Sequence, residues 1–203
     1  MIAIVKYNAG NIHSVINALH RIGVEPILTD SADELRSADK VIFPGVGEAR
    51  SAMTYLREHG LDAVIRGLTQ PVLGVCVGMQ LLCSYSEENN TDCIGVFPVH
   101  VRKFVRPSES STSTQAAMHK IPHIGWNSIE QMRSPLFDGL ADNSFVYYVH
   151  SYHAELSPFT IAQTTYIQPF SAALHHKNFY GVQFHPEKSG TLGERIYRNF
   201  MAL

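Results

Sequence analysis

Between Ile2 and Leu82 short apolar runs alternate with helical periods, and that alternation leaves few folds open. Ile2–Val5, Val24–Leu28, Val41–Phe43 and Val72–Val75 are too short for helices and too apolar for surface loops, so they read as buried strands. After the first, Val15, Ile16, Leu19 and Ile22 recur at the spacing of one helix face, and Gly23 stops the helix. Ser31-Ala-Asp-Glu34 is a capping-box signature for a short helix. Further helices are expected from about Glu48 to Glu58 and from Leu61 to about Leu68. Strands and helices in this order predict an α/β fold, an open, mostly parallel sheet with helices on both faces. Pro26 cannot donate to a sheet ladder, which places the second strand near an edge.

Beyond Glu87 the pattern changes. Glu87–Asp92 is polar and reads as a surface loop, and six strand-like runs follow: Val96–Val105, Pro122–Ile129, Phe145–Tyr152, Thr160–Ile167, Ala172–His175 and Phe179–Phe184. Lys177-Asn178 suits a hairpin turn. A closing helix is expected over about Leu192 to Met201, with Thr191-Leu-Gly-Glu194 as its capping box. Pro107–Ala117 is rich in Ser and Thr without an apolar period, a loop rather than a linker. The 203 residues are therefore expected to form a single domain, 1–203. A net charge of -2 without a basic run argues against a nucleic-acid or anionic-membrane partner. No stretch reaches the ~20 apolar residues of a membrane span, and Met1–Lys6 is too short an apolar run for a signal peptide. Cys76, Cys83 and Cys93 have neither disulfide nor metal spacing, which fits a reducing cytoplasm.

The chemistry centres on Gly74-Val-Cys76-Val-Gly78, where a strand runs into a helix read from Gly78 to Ser86. This is the thiol form of the strand–turn–helix elbow G-x-S-x-G, whose glycines let strand and helix close around an exposed nucleophile. A sulfur at a helix N-terminus is favoured as thiolate. The matching base is His185 in His185-Pro-Glu187. The proline predicts an extended tripeptide with His185 and Glu187 on one face, so that the carboxylate fixes the imidazole's orientation and tautomer. Acyl transfer also needs an oxyanion hole: the N–H of Val77, and a second donor from the turn Pro44-Gly-Val46-Gly47. Eleven histidines invite a metal reading, through His150 with His153, His175 with His176, or His119 with His123. No Cys or carboxylate cluster completes such a set, and strand spacing would put His150 and His153 on opposite faces, so neither metal nor cofactor is expected.

Gly74-Val-Cys-Val-Gly-Met-Gln80, Pro44-Gly-Val-Gly47 and His185-Pro-Glu187 together resemble class I (triad) glutamine amidotransferases, a flavodoxin-like fold with added strands. Within that family, Lys120-Ile-Pro-His-Ile-Gly-Trp-Asn127, Tyr147-Tyr-Val-His-Ser-Tyr152 and Phe184-His-Pro-Glu-Lys-Ser-Gly190 are similar to the amidotransferase subunits of imidazole glycerol phosphate synthases. The resemblance implies a glutaminase with a Cys76–His185–Glu187 triad and a γ-glutamyl thioester intermediate. It implies L-glutamine held by Gly47, Gln80, Glu88, Ser151 and Tyr152. It also implies ammonia passed to a (β/α)₈-barrel cyclase subunit in a heterodimer, met by a face containing Asn11, Trp126, Asn127 and Tyr147. One helix follows the triad, so the ammonia acceptor is expected on another chain. The triad residues alone leave open an amidotransferase of another synthase, such as anthranilate synthase, or a stand-alone γ-glutamyl hydrolase.

Overall fold

The computed structural model describes residues 1–8, 12–45, 47–106 and 120–203. Asn11, Val46, His119 and the loop Pro107–Ala117, all singled out above, lie outside the described residues. The first half follows the expected alternation: β1 (Ile2–Val5), α1 (Ile12–Arg21), β2 (Pro26–Thr29), α2 (Ala32–Ser37), β3 (Lys40–Phe43), α3 (Ala49–Glu58), α4 (Leu61–Arg66), β4 (Val72–Val75) and α5 (Val77–Leu82). The strands of the second half are β5 (Cys83–Ser86), β6 (Thr91–Asp92), β7 (Phe97–Lys103), β8 (His123–Ile129), β9 (Ser144–His150), β10 (Tyr152–Ala154), β11 (Thr160–Thr165), β12 (Pro169–His176) and β13 (Phe179–Val182). The helix α6 (Gly190–Ala202) closes the chain.

Seven strands form the central sheet in the order β11-β12-β13-β4-β3-β1-β2. From β2 through β13 every neighbouring pair is parallel, and β12 and β11 add an antiparallel edge. Proline-led β2 takes the opposite edge, as its missing N–H requires. Helices cover both faces: α1 packs against α6, while α3 packs against α4 and α5, and α2 against α4. The apolar runs fill the space between, with Ile4, Val41, Ile42, Phe43, Val72 and Leu73 fully buried. A smaller sheet, β10-β7-β5-β6, and the antiparallel ribbon β8-β9 stand beside this body. Lys177 and Asn178 make the two-residue turn between β12 and β13, Lys177 in the left-handed region at φ 56°.

Four local expectations are corrected. The helix after Cys76 stops at Leu82, because Cys83–Ser86 pairs with β7 and β6 and that pairing overrides the helical spacing of Met79, Leu82 and Cys83. Ser31 accepts from Glu34 N, but the Glu34 carboxylate bonds Thr29 Oγ1 instead of closing the box. α6 starts at Gly190, so Thr191 is inside the helix, not its cap. Pro186–Lys188 is a turn of 3₁₀ helix rather than extended, since a proline's fixed φ also suits the first helical position.

Candidate active site

β4 and β13 are neighbours in the parallel sheet, with Val75 in register with Val182, and the Cys76 N–H donates to the Val182 carbonyl at 2.8 Å. The residues that follow these strands therefore emerge together at one end of the sheet, where ligands bind in open α/β folds. Cys76 sits on the turn at φ 52°, ψ -112°, a conformation that non-glycine residues rarely adopt. The surrounding backbone holds it there. A Cβ on Gly78 would lie 2.0 Å from the Phe43 carbonyl oxygen, and one on Gly45 would lie 2.2 Å from the Gly78 nitrogen. The elbow and the Pro44-Gly45 turn can pack this closely only without those side chains.

His185 arrives from β13. Its Nδ1 is 2.8 Å from Glu187 Oε1, and both side chains are almost wholly buried. The carboxylate accepts, so Nδ1 carries the proton, leaving buried Nε2 unpaired toward the cavity that His185 shares with Cys76. Burial works against a charged imidazole here. It is outweighed by the nearby charge of the Cys76 sulfur and by Glu187, and the pKa of His185 is pushed up to about 10. A charged imidazole is thus held on the same cavity as the sulfur, placed to act as a proton donor there. The base is braced from outside the sheet. Its N–H donates to the Tyr147 carbonyl at 2.9 Å, and the Ser189 hydroxyl donates to the His185 carbonyl at 2.7 Å while accepting from Tyr147 N at 3.0 Å. This diverted hydroxyl is why Ser189 makes no side-chain cap for α6.

Cys76 and His185 open on a cavity of about 310 Å³, a size suited to a small ligand. Val77, Gly47, Gln80, Glu88, Ser151 and Tyr152 all line it, so the structure gathers every described residue expected at the oxyanion or the substrate. Glu88 is half-buried: its Oε2 accepts from Ala49 N at 2.8 Å, and burial, partly offset by that bond, raises its pKa. Gln80 has its amide nitrogen committed, to the Tyr152 carbonyl and to Gln183 Oε1, both at 2.9 Å. On the expected partner face, Trp126 is 56% exposed and meets Tyr147 edge-on at 6.0 Å. Asn127 instead turns inward, donating to the Thr165 carbonyl at 3.1 Å.

Three lining residues were not singled out from the sequence for this cavity: Pro122, Val149 and His150. Nor was Gln183, fully buried, whose amide nitrogen lies 3.6 Å from Cys76 Sγ. Its signal was present: one amide in the otherwise apolar run Phe179–Phe184, two positions before the base. His150 and His153 do not split across a strand. The chain breaks at Ser151 between β9 and β10, and both rings pack on Phe104, at 5.3 and 4.3 Å. Among the described residues no three His, Cys, Asp or Glu side chains group as a metal site.

A parallel α/β sheet that brings a strained cysteine and a carboxylate-oriented histidine to neighbouring strand ends is the architecture of a triad amidotransferase. The family model "Glutamine amidotransferase class-I" matches residues 3–203, and the chain belongs to that family. Over its full length the chain is 54% identical to the imidazole glycerol phosphate synthase subunit HisH of Bacteroides fragilis, covering 99% of that protein. It is 43% identical to HisH 2 of Legionella pneumophila, covering 100% of this chain and 98% of the relative. Solved structures share the fold: a glutamine amidotransferase at TM-score 0.73 and 18% identity, covering 100% and 98% of the two chains, and PurLQS of Thermotoga maritima at 0.69 and 15%, covering 99% and 97%.

Proposed function

We infer that this chain is the glutaminase subunit of an imidazole glycerol phosphate synthase, working as one domain in the cytoplasm. Cys76 as thiolate attacks the side-chain amide carbon of glutamine. The oxyanion is held by the Val77 N–H and a donor of Val46 or Gly47. His185, kept in place by Glu187, gives its proton to the departing ammonia, leaving a γ-glutamyl thioester. His185 then takes a proton from water, which attacks the thioester and releases glutamate. Gln80, Ser151 and Tyr152, which line the cavity, hold the amino-acid portion of the substrate in this reading. Glu88, whose charge is penalised by burial, gains a counter-charge when the substrate ammonium binds.

The observation that carries this reading is the His185 imidazole, bonded to Glu187 at 2.8 Å and lining one cavity with Cys76. The full-length similarity to HisH proteins supports the particular synthase. The ammonia acceptor is a (β/α)₈-barrel cyclase, which uses it to make imidazole glycerol phosphate and an aminoimidazole carboxamide ribotide. The docking face is the outer side of the β8-β9 ribbon, where Ile124, Trp126 and Phe145 stand exposed beside Tyr147, with Asn11 expected to join it and Asn127 turned inward behind it. Labelling with a thiol-alkylating glutamine analogue tests the site: modification mapped to Cys76 with loss of glutaminase is expected, and label on Cys83 or Cys93 overturns the assignment. The cyclase is expected to activate the glutaminase: glutamine turnover should rise when the cyclase and its ligand are added, and turnover equal with and without them refutes that activation.

A further inference from the structure

Two features of the site have no part in that reaction: the amide beside the sulfur and a pair of buried histidines, His150 on the cavity wall and His123 in contact with it. Gln183 Nε2 donates to Cys76 Sγ at 3.6 Å, and Gln183 Oε1 accepts from Gln80 Nε2 at 2.9 Å, which decides which end of the amide faces the sulfur. Gln80 Nε2 also donates to the Tyr152 carbonyl at 2.9 Å. The same carbonyl is 2.7 Å from His150 Nδ1. A carbonyl can only accept, so His150 carries its proton on Nδ1. Neutral, it must then accept at Nε2, and the donor is His123 Nδ1 at 3.0 Å. His123 Nε2 is left as an acceptor, and Asn127 Nδ2 faces it at 3.4 Å. Each tautomer is thus forced by its neighbour, in one run from the ribbon to the nucleophile. Burial, helped by the nearby imidazoles and only partly opposed by the Tyr152 carbonyl, lowers the pKa of His150 to about 3, so the ring stays in the neutral form the run needs.

We propose that Gln183 is a positioning residue for the Cys76 thiolate, and that this run of hydrogen bonds ties its amide to Asn127 on the β8-β9 ribbon. The proposal rests on Cys76 as nucleophile and adds what orients it. As a thiol, the sulfur donates to the Val149 carbonyl at 3.9 Å. On ionisation that bond is lost, and the Gln183 N–H becomes a donor to the anion, so the amide selects the ionised sulfur. Asn127 is next to exposed Trp126 but points the other way, so a partner on the outer face of the ribbon sits one residue from the ribbon end of the run.

The test compares the full chain with Gln183→Glu and Asn127→Leu, alone and with the cyclase. It reads the iodoacetamide alkylation rate of Cys76 against pH, and kcat and KM for glutamine. Gln183→Glu keeps an acceptor for Gln80 but turns a carboxylate oxygen to the sulfur. Alkylation near neutral pH should slow by about 10- to 100-fold, the size of one hydrogen bond to a charged group, with its midpoint moved up in pH. The value of kcat should fall by a similar factor while KM changes by less than about threefold. Tyr7, Glu88, His150, His185 and Glu187 also face or line this site and are the same in every protein compared, so the difference reports position 183, where Glu combines the lost donor with an added charge and Gln183→Met removes the donor alone. Asn127→Leu, at a half-exposed position, should slow alkylation by roughly 2- to 10-fold. Alkylation and kcat matching wild type in Gln183→Glu overturn the positioning role. A normal rate in Asn127→Leu alone overturns the tie to the ribbon. Should Gln183→Glu fail to fold, Gln183→Met replaces it and must show the same split. Wild-type label mapping away from Cys76 would sink the nucleophile assignment instead, a separate outcome.

Discussion

The two ends of the reacting pair are held by different means. Cys76 is fixed by backbone sterics: a strained turn closed between β4 and α5, with the Phe43 carbonyl and Gly45 pressed against Gly78. His185 is fixed by hydrogen bonds, to Glu187 through its ring and to Tyr147 and Ser189 through its backbone. The first arrangement belongs to the parallel sheet and cannot shift without unpacking it. The second leans on β9, a strand of a two-stranded ribbon whose outer face is open to solvent. A site built this way has a rigid nucleophile and a base whose support can be reached from outside.

That contrast is broken most severely at the sulfur. Cys76→Ala should lower glutaminase kcat by about 10⁴-fold or more, with partner association intact; steady-state assay and titration with the cyclase check both. Next comes the steric side. Gly78→Ala puts a methyl 2.0 Å from the Phe43 carbonyl oxygen, backbone against backbone, with no flexible side chain to yield. A loss of about 3 kcal/mol or more of unfolding free energy is expected in urea denaturation, against less than 0.5 for an exposed site away from such contacts. Near-normal stability would mean that the elbow is not the clamp described.

The hydrogen-bonded side should show itself through pH. His185 has its pKa raised to about 10 in the fold, so its contribution is complete below the ordinary value near 6.5 and is lost as pH rises through about 10. His150 and His153 go the other way: burial, outweighing any nearby opposite charge, lowers them to about 3 and about 4. The unfolded chain binds their protons first, so stability falls as pH drops below about 6.5. The slope approaches about 1.4 kcal/mol per pH unit for each ring until its folded pKa is reached. His150→Asn keeps a donor for the Tyr152 carbonyl but cannot titrate. Its urea midpoint should therefore lose the His150 share of the acid slope; an unchanged slope would show that the ring is not buried neutral.

The nucleophile's surroundings were legible because short-range rules govern them: an apolar run, a glycine two residues either side of Cys76, and a helix after it each have local causes. The histidine's surroundings were less so, because they depend on pairings between distant strands. Nothing near Ser189 announces that its hydroxyl will leave α6 uncapped to hold His185 and Tyr147. The Cys83–Ser86 segment carries helical spacing, and only its pairing with β7 makes it a strand. His150 and His153 look split by strand geometry until the break at Ser151 turns both onto Phe104. Gln183 was hidden differently, as one amide in an apolar strand, and only the sulfur beside it gives it meaning.

The smallest expected effect lies on the ribbon's outer face and separates recognition from support. Ile124, Trp126 and Phe145 are all more than half exposed, alternating with inward residues along the paired strands, so a large apolar surface sits in water on the unbound chain. Trp126 is the only tryptophan and rests edge-on against Tyr147, the residue whose carbonyl holds His185. Trp126→Ala removes little that the isolated fold needs, so its urea midpoint should correspond to a change within about 0.5 kcal/mol. Affinity for the cyclase should drop by about 30-fold, the effect of an aromatic anchor at the centre of an interface. Calorimetric titration alongside urea unfolding distinguishes the cases. A stability loss equal to the affinity loss would make Trp126 a packing residue and move the docking face elsewhere, whereas lost affinity on an intact fold ties partner binding to the ribbon whose second strand braces the base.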